Sequence, residues 1–386
     1  MAKKKLIVVW PYRFRDFDWQ RFELEQLSQH VEVHVHELID ALTPEFAAAY
    51  ANQSERPEVK RFSSLKDWHR EFKKISKGSV IFTHVRPINL QSALICLKIR
   101  LSGSKVVGFS TGGAPNYASV GNYKESKSVK FLKILFHFLK RTAFSFISPG
   151  LVLVGGDEEE KRAHRDYSRH ASLVFGNSSD YSQTLLSGHD SKSVEFKSVF
   201  LDTGFPGFQR DELLTGDVES VQPSQWYPPL NKFLDLVEKI LGYKTVIAIH
   251  PKHVGRDHSD FFGLRPTIGG QTMGLVSGSE LVVATNSTSI SYAVAFRKPL
   301  ILVTCDAIEK SKQRKKLEIR NCSHETGAKI FNVDREYTEQ ELRDALVIDH
   351  AKRESYKRKY LTSRTDDKPN YQVLLDEVIN AIDKTR

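Results

Sequence analysis

The sequence predicts an α/β protein made of two Rossmann-like domains facing each other across a cleft. Three observations point there. Short β-branched runs alternate with helical patterns along all 386 residues, as in doubly wound sheets. Most of these runs are apolar without interruption, which parallel strands covered on both faces require. The runs also fall into two series, separated by the polar stretch GNSSDYSQTLLSGHDSK at 176–192, which reads as a linker.

The first series opens with Lys5–Trp10 and continues through 31–37, 79–85, Lys105–Ser110, 151–155 and Ser172–Phe175. Helical patterns at 17–29, 65–76 and Leu90–Leu101 lie between them. In the second series the strands are 197–201, Thr245–Ile249, Leu281–Ala284, 299–303 and 328–331. Helices at 231–241, 289–296, Glu339–Asp344 and 371–383 intervene. The expected domains are 1–190 and 191–386, with the final helix free to pack back on the first.

Composition narrows the function. The 57 Lys and Arg outnumber the 47 Asp and Glu, giving a net charge of +10. That excess suits an anionic partner, or simply solubility. No apolar run reaches the about 18 residues of a spanning helix, and the short one before Trp10-Pro11 reads as a strand rather than a signal peptide. Cys96, Cys305 and Cys322 have no metal-binding spacing and suit a reducing cytoplasm. HExxH, paired CxxC and GxSxG motifs are absent, so zinc chemistry and a hydrolase elbow are not expected. The basic charge is spread over both halves without a compact nucleic-acid motif.

Ligands of open parallel sheets bind beyond the carboxyl ends of the strands, so the loops there hold the candidate site residues. His250-Pro251-Lys252 ends a buried strand. Pro251 stops the ladder, His250 can donate to a ligand oxygen and Lys252 offers a positive charge to phosphate. Asn286, Ser287, Thr288 and Ser289 precede a helical run, where a cap needs only one such residue. In the first half, Arg13 and Arg15 lie after the first strand, and Gly112 and Gly113 could let an acceptor or phosphate approach closely. Asp16, His84 and Asp157 are the candidate acids or bases. Each has a plainer reading as a turn, a cap or a solvated charge.

A strand ending in His-Pro, then one leading to a Ser/Thr pair at a helix start, then RKPLILVT, resembles the donor half of GT-B glycosyltransferases of bacterial surface polysaccharides. The closest patterns are those of CMP-Kdo and CMP-sialic acid capsule transferases and of CDP-glycerol glycerophosphotransferases. The resemblance covers roughly 196–304 and implies that His250, Ser287 and Thr288 hold a nucleotide's phosphate and ribose. It implies a metal-independent transferase with no cofactor beyond a nucleotide-activated donor, CMP-linked Kdo or a sialic-acid-like sugar first. The acceptor would be a lipid-linked or cell-surface glycan, as in capsule or lipopolysaccharide assembly. A polyol-phosphate transferase and a non-catalytic binder of anionic glycan or nucleotide are the alternatives.

Residues 127–147 form a basic amphipathic pattern. Lys127, Lys130, Lys133, His137, Lys140 and Arg141 fall on one face, and phenylalanines and leucines on the other. Such a helix either packs in a domain or rests on an anionic membrane. The second reading expects a cytoplasmic protein peripheral to the inner face of the cell membrane.

Overall fold

The computed structural model describes residues 3–47, 54–87, 89–115, 146–168, 170–187, 196–206, 221–250, 261–310 and 314–382. Two compact units divide the chain. One takes the chain to Gly112, the stretch ending at Leu186, and everything from Thr362; the other includes Ser187–Leu361. The 127–147 pattern lies outside the described residues except for its last two positions. Among the described residues, no helix is long and apolar enough to cross a membrane.

The first unit holds β1 Lys5–Trp10, β2 Glu32–Glu37, β3 Val59–Arg61, β4 Val80–Thr83, β5 Lys105–Ser110, β6 Leu151–Val154 and β7 Ser172–Phe175. They form one parallel sheet in the order β3-β2-β1-β4-β5-β6-β7. Side chains alternate across it, as the strand period dictates. Leu6, Val8 and Trp10 enter one core layer with Val373, Leu374 and Val378 of the C-terminal helical segment. Ile7 and Val9 enter the other, against Trp68, Phe72, Ile95 and Ile99.

The second unit holds β8 Ser198–Leu201, β9 Thr245–Ile249, β10 Thr267–Gly269, β11 Leu281–Ala284, β12 Leu300–Thr304 and β13 Lys329–Asn332. All are parallel, in the order β10-β9-β8-β11-β12-β13. Each sheet therefore runs outward in both directions from a central pair. That pair is β1/β4 in the first unit and β8/β11 in the second, the topological switch point where open α/β sheets bind ligands.

Some elements differ from the sequence reading for identifiable reasons. The helix expected at 17–29 is two, Asp16–Arg21 and Leu24–Ser28. Glu23 stands between them in left-handed conformation, φ 53°. Its buried carboxylate accepts from the Tyr371 amide at 2.7 Å, so a contact with the far C-terminus sets the break. Ser179–Ser187, inside the expected linker, is a helix with Tyr181 and Ser182 buried. The helix expected at 231–241 begins at Pro223 and burial of Trp226 and Tyr227 carries it through Pro228-Pro229.

Glu23 also gives the first unit a pH response. Burial raises its carboxyl to about 7, against the opposing pull of hydrogen bonds from Ser182, Tyr371 and Asn370. Between roughly pH 4.5 and 7 the unfolded chain releases this proton while the folded chain keeps it. Stability therefore falls as pH rises through that window, by on the order of 3 kcal/mol. Glu23→Gln removes this response. Urea melts at pH 5 and pH 8 are expected to show the variant gaining on the parent at the higher pH; a pH-independent difference would contradict the assignment.

Candidate functional site

The carboxyl ends of β8 and β11 bring together residues from four parts of the second unit. Leu201, the last residue of β8, pairs with Ala284 of β11 and with Ala248 of β9. Asp202 then turns the chain: its Oδ1 accepts from the Gly204 amide at 2.8 Å and its Oδ2 from the His250 amide at 3.4 Å. Gly204 has φ 75°, which only glycine adopts without strain. Asp202 is buried, and it thus fixes the loop after β8 and the end of β9 together.

Beside it, the Thr203 and Thr285 hydroxyls lie 3.4 Å apart across the switch point. Lys315, near the start of the helix Arg314–Thr326, brings its ammonium within 3.5 Å of the Thr203 hydroxyl and 4.7 Å over the Phe205 ring. Asn286 donates to the buried Glu318 of the same helix, while its Oδ1 is covered and unpartnered among the described residues. The result is a patch of hydroxyls, an amide and a cation at the end of two buried strands. Such a patch can hold an oxyanion without a metal.

The predicted residues of this half distribute unevenly. His250 stands half-buried at the end of β9; Pro251 and Lys252 lie outside the described residues. β9 and β11 are not neighbours, because β8 runs between them. Their ends still flank the switch point. The hydroxyl run is not a multiple helix cap. Ser289 is the cap residue, is αR and makes no side-chain capping bond, and the helix Ile290–Ala295 has only six residues. Ser287 instead accepts from the Ser289 amide at 3.2 Å, and the Thr288 carbonyl accepts from the Ser291 hydroxyl at 2.6 Å. Thr288 and Ser289 thus shape the turn, and Asn286 and Ser287 lie nearer the switch point in sequence.

In the first unit both arginines have partners within the fold. Arg13 donates to Glu37 at 2.5 Å and to Asp40 at 3.1 Å. Arg15 pairs with Asp18 at 3.1 Å. Their charge is met within the fold. A Cβ on Gly112 would sit 3.0 Å from Arg162 Nη1 and 3.4 Å from Glu159 Oε1. The glycine makes room for that ion pair, with Gly113 following at φ 69°, so the loop is explained without a ligand.

His84 ends up at the β1/β4 switch point. Its ring lies 5.0 Å from Trp10 and 5.4 Å from Phe22, and stacks on Phe109 at 5.4 Å. Burial, aided by Arg21 and Arg86, lowers its imidazole to about 3. At neutral pH the ring is therefore uncharged, keeps one N–H and is a weaker base than a free imidazole. Asp16 accepts from the Ser54 hydroxyl at 2.7 Å and faces Arg56 at 3.4 Å. Asp157 is the first residue of the helix Asp157–Asp166, where an acid suits the dipole.

Asp202, Thr203, Lys315 and Glu318 were not singled out by sequence reasoning. The loop after β8 was legible as a strand end, but only the strand order shows that it is the central one. Lys315 lies in the run KSKQRKK, where neighbouring cations hide it.

No protein-family model matches the sequence, and no curated protein does. Solved structures do match. A histidine variant of the wall teichoic acid polymerase TagF aligns with a TM-score of 0.56 at 11% identity, over 99% of this chain and 90% of its own. The S. aureus MnaA–UDP structure aligns with a TM-score of 0.52 at 10% identity, over 98% of this chain and 97% of its own. A UDP-N-acetylglucosamine 2-epimerase gives 0.51 at 13% identity, over 100% and 97%. The likeness is one of fold: two parallel Rossmann-like sheets of the GT-B type.

Proposed function

We propose that the chain is a transferase using a nucleotide-activated donor, with the donor's phosphate at the β8/β11 switch point. The observation that carries this reading is the convergence of Thr203, Thr285 and Lys315 at that point. Phosphate leaving a donor needs positive charge and hydrogen-bond donors at the developing oxyanion. Lys315 supplies charge, and the hydroxyls and His250 supply donors. Asn286 and Ser287 extend this set, and Lys252 would add a second cation. In the first unit, Asp16 and Asp157 remain the proposed proton acceptors for an attacking hydroxyl.

The leading donor is a CMP-activated sugar of the Kdo or sialic-acid type, passed to a lipid-linked or cell-surface glycan. The fold shared with the teichoic acid polymerase favours CDP-glycerol as the second reading. A single screen separates the possibilities. The protein is incubated with CMP-Kdo, CMP-sialic acid, CDP-glycerol or UDP-N-acetylglucosamine, with and without lipid-linked glycan, and the products are identified by mass spectrometry and, for isomers, by NMR. Acceptor-dependent CMP release from a CMP-sugar is expected. Release from CDP-glycerol alone would select polyol-phosphate transfer, and isomerised UDP-sugar without release an epimerase. Nucleotide binding without turnover would leave a binding protein.

A further inference from the structure

The helix Leu90–Leu101 buries Ile95, Cys96 and Ile99 in the first unit's core. Its other face carries Leu90, Leu94, Leu97 and Leu101, which are 77, 44, 39 and 75% exposed. The spacing i, i+4, i+7, i+11 sets them in one line along the helix. Single exposed leucines are ordinary, but a line of four along one helix is a contiguous apolar patch of the kind that marks an interaction surface.

The charge carried by this helix has one sign. The helix sequence LQSALICLKIRL contains no acid, and Lys98 and Arg100 occupy its last turn.

We propose that this face docks on an anionic lipid bilayer, with the leucines entering the headgroup boundary and Lys98 and Arg100 meeting the phosphodiesters. This is the chemistry of an interfacial amphipathic helix. A second copy answers the surface less well. A two-fold contact sets a patch against itself, and this helix offers no carboxylate to meet its own cations. The proposal does not depend on the nucleotide reading.

Co-sedimentation of the full chain with phosphatidylcholine vesicles, with and without phosphatidylglycerol, tests the proposal. Three proteins are compared: the parent, Leu94→Gln with Leu97→Gln, and Lys98→Gln with Arg100→Gln. The parent is expected to bind the anionic vesicles, and each double variant to bind about tenfold more weakly. The leucines are exposed, so circular dichroism should show both variants folded; Leu101→Gln serves as a milder substitute if the first is not. Parent-like binding by the folded leucine variant overturns the proposal, as does a parent that ignores anionic vesicles. A leucine variant that changes only sedimentation velocity in lipid-free solution assigns the face to self-association and overturns it equally.

Discussion

His250→Ala lowers donor turnover about 100- to 1,000-fold, the usual cost of removing one donor aimed at developing charge, and leaves stability within about 1 kcal/mol of the parent. The two effects separate because of what alanine retains. The bond that ties this position to Asp202 runs from the His250 backbone amide, so the strand end keeps its anchor. What is lost is the imidazole at the edge of the switch point. Initial rates with saturating donor, alongside a urea melt, check both halves. A folded variant with the parental rate removes His250 from the chemistry.

Glu37→Ala destabilises the first unit by about 3–5 kcal/mol, the cost of breaking a buried ion pair from one side. Glu37 is fully covered at the end of β2, and its two oxygens hold the Arg13 guanidinium at 2.5 Å and the Phe14 amide at 2.7 Å. Removing it leaves an orphan amide, an arginine held by the partly exposed Asp40 and the Ala47 carbonyl, and Arg61 without the carboxylate 3.9 Å from it. The loop after β1 is expected to loosen with it. Denaturant melts give the number directly; a loss under about 1 kcal/mol would mean that water replaces the carboxylate there.

These two residues mark where sequence reasoning succeeds and where it stops. His250 is legible because TVIAI is a buried strand and proline ends it, and Thr245–Ile249 and Leu281–Ala284 form with the expected bounds. Lys5–Trp10 and Lys105–Ser110 do as well. In each, an unbroken apolar run has no other low-energy place than a central strand. The edge strands Val59–Arg61 and Thr267–Gly269 were missed because three residues covered on one side need no such run. Arg13 looked like an anion-binding group because its loop is basic, and nothing local says that Glu37, 24 residues on, already neutralises it. Lys315 was invisible for the opposite reason: a cation among cations acquires a role only when the helix places it over Phe205 and beside Thr203. Strand ends are a local property; strand order and ion pairing are not.

The central claim is that a nucleotide's phosphate sits at the β8/β11 switch point, and calorimetric binding tests it most directly. CMP, CDP and UDP are titrated into the parent, into Lys315→Ala, and into Lys239→Ala as a control from the last turn of the helix Pro223–Leu241. At least one nucleotide is expected to bind the parent and the control alike, and to bind Lys315→Ala about tenfold or more weakly, as the loss of a charge-assisted contact predicts. Equal affinity in all three proteins would place the phosphate elsewhere and contradict the account.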